Sequence, residues 1–255
     1  MSNSPLVSYT KLSPNHSGQR TRKIDRITPH CVVGQCSVER LGDIFLPASR
    51  EASCNYGIGA DGRVGMYVEE KNRSWCSSSN ANDQRAVTIE CASDGAEPYA
   101  FRDVVYQSLI TLCVDICKRN GKTKLLWLED KDKTLAYTPA PDEMVLTVHR
   151  WFANKSCPGN WMYARMGDLA EKVTAQLSAG MDEEDDDMDI NKFKELWREM
   201  RKELQDNDAS AYSEEARKWA VDNGIIRGGN SDEFNGMWED MMTREQLVTV
   251  LYRFA

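Results

Sequence analysis

The sequence predicts a mixed α/β domain, a central sheet flanked by helices, followed by a small all-α C-terminal domain. Three observations carry this. Strand-like and helix-like periods alternate from Ile24 to Leu177, as in an α/β domain. An acidic run, MDEEDDDMD at 181–189, then places seven carboxylates in nine positions. Beyond it lie three amphipathic helical stretches with no strand among them. The expected division is 1–178 for the larger domain, 179–189 for a charged, self-repelling linker, and 190–255 for the helical unit.

Residues 1–22 are polar, with scattered Ser, Asn, Pro and Gly, and are expected to lie extended over the surface, with His16 a solvated loop histidine. In KIDRITPHCVVG, Ile24, Ile27 and the Cys31-Val32-Val33 run give a short strand broken by Gly34. His30 then points to one face and Cys31 to the other. Ser37 is placed to cap a helix through VERLGDIFL. NYGIGADGRVGMYV reads as a hairpin: Tyr56 and Ile58 go out, Ala60-Asp61-Gly62 turns, and Val64, Met66 and Val68 return. AVTIECAS (86–93) is a further strand, with Val87, Ile89 and Cys91 on one side and Thr88 and Glu90 on the other. A carboxylate in so apolar a strand is costly to bury without a partner.

FRDVVYQSLITLCVDICKRNG carries apolar residues at 104, 105, 109, 112, 113 and 116, a helical stripe that Gly121 ends. KLLWLED is a short strand or helix end, and DKDKTLAYTPAPDEM a loop. MVLTVHRWF is strand-like and runs into a basic loop, and GNWMYARMGDLAEKVTAQL is the closing helix. In the C-terminal unit, Phe193, Leu196, Trp197, Met200 and Leu204 share one side of the first helix. Ser213 caps the second and Gly224 stops it, and Thr243 caps the third.

Net charge is −8, which argues against a nucleic-acid partner or an anionic membrane surface, although part of that charge is local to the linker. No apolar run approaches the ~20 residues of a membrane span. The N-terminus shows no secretory signal, so synthesis in the cytoplasm and release by another route are expected. Eight cysteines, at 31, 36, 54, 76, 91, 113, 117 and 157, show no compact disulfide framework and are expected to be reduced, with Cys113 and Cys117 facing the core.

The chemistry concentrates in TVHRWFANKSCPGNW (147–161). Imidazole and thiolate are the side chains that bind zinc best, and a loop of this length can fold His149 and Cys157 onto one ion. Lys155 lies where its ammonium can reach whatever the metal binds. The chain has only three histidines, and His30 occupies a strand of the same domain.

Together, ITPHCVVG, NYGIGADGRVGMYV, RAVTIECAS and VHRWFANKSCPG resemble, in order and separation, the zinc-dependent N-acetylmuramoyl-L-alanine amidases of the second amidase family, over about residues 23–177. That family includes phage endolysins and the peptidoglycan recognition proteins. The resemblance implies the amidase and recognition-protein fold, with His30, His149 and Cys157 as zinc ligands and a fourth position open to water. It implies that Glu90 orients and deprotonates that water. Lys155 and the Tyr56 hydroxyl would stabilise the oxyanion. After the hairpin the family often reads Trp-His where this chain has Trp75-Cys76. Trp75 remains as a stacking platform for substrate.

KWAVDNGIIRGG, Phe234 and TREQLVTVLYRF resemble a single S-layer-homology repeat over about 210–255, which in that family attaches proteins to the cell wall. A lone repeat would complete its surface by pairing with a second copy, a possible homodimer. The expectation is a peptidoglycan hydrolase of endolysin or autolysin type, from a phage, prophage or bacterium, acting on the wall after release. It would cut the amide between N-acetylmuramic acid and L-alanine of the stem peptide. Two alternatives are a non-catalytic peptidoglycan-binding protein and a cytosolic amidase recycling muropeptides.

Overall fold

The computed structural model describes residues 2–184, 190–204, 209–226, 237–238 and 244–254. The chain forms two compact units, Met1–Asp185 and Asp186–Ala255.

The first unit runs β1 (Val7–Thr10), β2 (His16–Gln19), β3 (Arg26–Cys31), α1 (Val38–Phe45), β4 (Tyr56–Ile58), β5 (Val64–Met66), β6 (Asn72–Ser74), α2 (Asn80–Asp83) and β7 (Ala86–Cys91). It continues with α3 (Asp103–Arg119), β8 (Lys124–Leu126), α4 (Lys131–Ala136), β9 (Glu143–Leu146), α5 (Asn160–Tyr163) and α6 (Met166–Glu184). Seven strands form one sheet in the order β1-β5-β4-β7-β3-β9-β8, parallel except at the β4–β5 hairpin. This is the mixed α/β architecture that the alternating periods predict. The central strands β3 and β7 are almost wholly buried, as parallel strands covered on both faces must be.

On one face α3 and α6 pack Leu109, Leu112, Ile116, Leu169 and Val173 against Ile27, Val87, Ile89 and Leu146. Cys113 and Cys117 lie in this core, and all eight cysteines are free thiols. On the other face α1, capped by the Ser37 hydroxyl, packs Leu41 and Phe45 on Cys54 and Tyr67. Gly57 lets α1 come close, since a Cβ there would meet Tyr67 Cε2 at 2.7 Å and Leu41 Cδ1 at 2.8 Å.

Three segments differ from the sequence reading. The polar N-terminus is not draped over the surface: β1 pairs with β5, β2 pairs with β6, and Ser13, Asn15 and Arg20 are buried. Arg20 Nη2 donates to Asn55 Oδ1 at 2.9 Å, an anchorage that composition cannot reveal. The expected loop after β8 contains α4, whose cap is Asp130, accepting from Lys133 N at 2.7 Å. Six residues without an apolar stripe gave no periodic signal. The closing helix α6 continues to Glu184, into the acidic stretch.

The second unit contains α7 (Ile190–Glu203), α8 (Glu214–Asp222) and α9 (Arg244–Phe254). Ser213 precedes α8 but makes no capping bond; its hydroxyl donates to Ser210 O at 2.9 Å instead. Gly224, at φ +66°, ends α8 in the left-handed conformation that glycine adopts without strain. The α7 stripe Phe193, Leu196, Trp197 and Met200 is 39–46% exposed. Phe234, the Thr243 cap, Gly228 and the linker residues 185–189 lie outside the described residues. No helix among the described residues is long and apolar enough to cross a membrane.

Candidate functional site

Strand register assembles the site. β3 and β7 run parallel with Thr28 opposite Thr88 and His30 opposite Glu90, so both pairs face the α1 side. β9 lies on the other edge of β3, with Ile27 opposite Leu146, which sets Thr147 beside Thr28. Their hydroxyls are 2.7 Å apart. Two residues on, at the same end of the sheet, His149 opens a 3₁₀ turn beside His30. The loop that follows folds back, Arg150 N donating to Cys157 O at 3.1 Å.

Beneath the histidines lies a buried polar floor. Asn82 of α2 donates through Nδ2 to Thr28 Oγ1 at 3.0 Å and accepts from Thr147 Oγ1 at 3.1 Å. Ser74 Oγ lies 2.7 Å from Thr88 Oγ1, and Asn55 Oδ1 accepts from Thr88 N at 3.2 Å. Groups so satisfied fix strand register as well as stability.

His30, His149 and Cys157 meet. One donor atom from each lies within 4.8 Å of the others. Cys157 Sγ is 3.2 Å from His30 Nδ1, and the two imidazole rings are 5.1 Å apart. Buried His30 Nε2 finds no hydrogen-bond partner among the described residues. Burial holds the His30 pKa well below its ordinary value, and burial with nearby Lys155 lowers that of His149. Both rings are therefore neutral, the form that ligates metals. Contact with Cys31, then burial, raises the Cys157 thiol, so a cation is needed to draw off its proton. Two neutral imidazoles and a thiol fit a divalent metal of borderline softness.

The cluster opens on a cleft of about 550 Å³ lined by Trp75, Cys76, Glu90, His149 and Lys155. An adjoining cleft of about 320 Å³ is lined by Arg50, Glu90, Lys155 and Cys157. Glu90 Oε2 is buried and has no partner among the described residues, while Oε1 accepts a long contact from Cys76 Sγ at 3.8 Å. Burial pushes the Glu90 carboxyl up to about 7. Lys155 is exposed on the rim, and Trp75 is half-buried, its Nε1 donating to Ser17 Oγ at 2.6 Å.

Tyr56 is not brought to this cluster. Its register partner is Ile89, so its ring lies on the opposite sheet face, fully buried against the α3 side. The hydroxyl donates to Glu70 Oε1 at 2.7 Å and accepts from Ser4 N at 2.9 Å. It is structural, and the catalytic role expected of it is withdrawn.

Three residues of the cleft were not singled out from sequence. Arg50 lines both clefts. Ser78, held at φ +61°, sets its hydroxyl 3.0 Å from His149 Nε2. Cys76 forms, with His30 and Glu90, a second group whose donor atoms lie within 4.8 Å of one another. Cys76 showed in the sequence only as a departure from Trp-His, and the SSSN run offered no signal for Ser78.

The family model described as N-acetylmuramoyl-L-alanine amidase matches residues 17–160. No curated protein gives a significant match. Solved structures that resemble the chain include PlyL, 17% identical over 65% of this chain and 95% of that one, TM-score 0.43. The Ph2119 endolysin from the Thermus scotoductus MAT2119 bacteriophage is 16% identical over 62% and 90%, TM-score 0.41. Drosophila peptidoglycan recognition protein SA is 15% identical over 62% and 89%, TM-score 0.44.

Proposed function

The chain belongs to the N-acetylmuramoyl-L-alanine amidase family, and from that premise we propose that it hydrolyses the amide joining N-acetylmuramic acid to L-alanine of the peptidoglycan stem, using zinc held by His30, His149 and Cys157. The observation that carries the reading is the meeting of those three donors at the floor of the cleft that Glu90 and Lys155 line. When bound, zinc lowers the pKa of a coordinated water to roughly 7 and polarises a carbonyl.

The remaining work falls to side chains. Glu90, with Oε2 uncommitted, accepts the proton of the attacking water and returns it to the departing amine. Lys155 reaches from the rim to the carbonyl oxygen as negative charge builds there, a contribution of ~3 kcal/mol in comparable sites. Ser78 fixes the His149 ring through Nε2. Trp75 offers a ring face to substrate at the cleft wall.

The C-terminal helices serve as the wall attachment, and the exposed α7 stripe is the face on which a second copy would pair. The protein acts on the bacterial wall after release from the cytoplasm, as an endolysin or autolysin does. Metal analysis combined with mass spectrometry of digested walls tests the reading. Stoichiometric zinc and new L-alanine amino termini are expected, and Cys157→Ser should lose both. Wild-type turnover in that variant would show the metal site to be misassigned, and zinc without amide cleavage would leave a peptidoglycan-binding protein.

A further inference from the structure

A second cleft of the first unit lies apart from the one above the metal cluster and exceeds it in volume. It measures about 1090 Å³ and shares only Ser78, Ser79 and Asn80 with the hydrolytic cleft. Its walls carry five cations, Arg22, Lys23, Arg26, Arg85 and Lys131, against one acid, Asp25. In a chain of net charge −8 that reverses the overall balance. Asp25 is already engaged, with Arg85 Nη2 at 2.6 Å and Nε at 2.8 Å. Four cations therefore face the cleft without a carboxylate of their own in its lining.

Arg26 is the telling one. It is 5% exposed, and its Nη1 donates to Asn82 Oδ1 at 3.1 Å. No ion pair to it is found among the described residues. Burial, and after it the neighbouring Arg85, pull its pKa down to about 10. Asp25, held by Arg85, offsets this only in part, and a buried cation so weakly compensated is costly, so an anion entering the cleft would relieve it. Its place in the fold is also informative. Arg26 begins β3 on the same face as His30, four residues or ~13 Å along the strand, with α2 covering the polar floor between. Half-buried Phe152 adds an apolar surface to the same wall.

We propose that this cleft binds an anionic saccharide polymer of the bacterial wall, its phosphate or carboxylate groups on Arg22, Lys23, Arg26 and Lys131 and a sugar face on Phe152. The polymer would be gripped at one end of the sheet while the bond to be cut lies at the other, with Ser78–Asn80 as the shared rim. The choice of ligand rests on the proposed wall substrate.

The test measures binding to the full-length protein by calorimetry, with a polyglycerol phosphate oligomer as the phosphodiester probe and an oligogalacturonate as the carboxylate probe. The variant is Arg22→Ser/Lys23→Ser/Lys131→Ser, all three exposed and outside the catalytic machinery. At least one probe should bind the wild type in a salt-dependent way. The variant should bind that probe about tenfold or more weaker, with a salt slope reduced by about 2, at roughly 0.7 for each cation removed. Its cleavage of a small soluble muropeptide should be unchanged. Wild type that binds neither probe, or a variant that binds as well as wild type, overturns the proposal. So does an oligonucleotide of equal charge binding as tightly as the saccharides. Because neither probe contains the scissile amide, these results stand whether or not the protein proves to be an amidase.

Discussion

Replacing Tyr56 by Phe separates a structural hydroxyl from a catalytic one. The Tyr56 hydroxyl sits between two buried partners, donating to Glu70 Oε1 at 2.7 Å and accepting from Ser4 N at 2.9 Å. Glu70 is wholly buried and is paired with Arg119, whose Nη1 lies 2.9 Å from Oε2. Burial and Glu70 hold the phenol pKa well above its ordinary value, so it donates at every working pH. A hydrogen bond to a charged group is worth about 1.5–3 kcal/mol, and the stranded Ser4 N–H adds to the loss. A destabilisation of about 2–3 kcal/mol is expected, which for a unit of this size lowers Tm by roughly 5–10 °C. The kcat/KM on a soluble muropeptide, measured well below Tm, should stay within about twofold of wild type. A hydroxyl in an oxyanion hole behaves oppositely, losing about 10²–10³ in rate with little change in Tm. That second pattern would refute the placement of Tyr56 on the far side of the sheet.

Glu90 gives a pH signature in metal-free protein. A carboxyl near 7 when folded and ~4.3 when unfolded holds its proton more tightly in the native state. Its stabilising effect is thus complete below about pH 4 and is lost as pH rises through 7, roughly 3–4 kcal/mol in all. Denaturant titrations of wild type and Glu90→Gln should therefore diverge between pH 5 and 8, and parallel curves would count against the buried carboxyl. Gly57→Ala places a methyl against Tyr67 and Leu41 and should cost about 1–3 kcal/mol by chemical denaturation; a neutral result would mean that α1 packs less closely than 2.7–2.8 Å implies. In the C-terminal unit, Trp219→Ala/Tyr252→Ala removes two exposed aromatics and should weaken sedimentation with intact walls while leaving soluble muropeptide cleavage alone. Unchanged sedimentation would mean these helices have another role.

The Tyr56 misplacement shows what a sequence can and cannot hold about such a site. Alternation within AVTIEC correctly separates Glu90 from Ile89, and alternation within ITPHC separates His30 from Cys31, because side-chain period is a local property of each strand. Which face of one strand matches which face of the next is decided by register, and register is non-local. Here Gly57, not Tyr56, stands opposite Glu90, an offset of one residue that moves a hydroxyl from the cleft to the core. The same limit hid the N-terminal strands, whose partners β5 and β6 lie some fifty residues away. Elements whose signal is self-contained were legible: the α1 cap at Ser37, the α3 stripe, and the hairpin at Asp61-Gly62. His30 and His149 could be named because histidine is scarce in this chain, and Cys157 because it shares the His149 loop, but the polar ladder from Thr147 through Thr28 and Asn82 explains why the imidazoles meet, and the Arg150 N–Cys157 O bond why the thiol joins them. That ladder pins β9 and α2 to β3, Arg26 Nη1 also donates to its Asn82 Oδ1, and each hydroxyl and amide in it is matched. Slipping any one of these strands by a residue would leave several buried polar groups unpaired, at about 1–3 kcal/mol each, before it disturbed a single metal donor. The meeting of the two imidazoles is therefore set by the polar layer beneath them, with Cys157 brought in by the Arg150 N–Cys157 O bond, and would persist in protein from which the metal had been stripped.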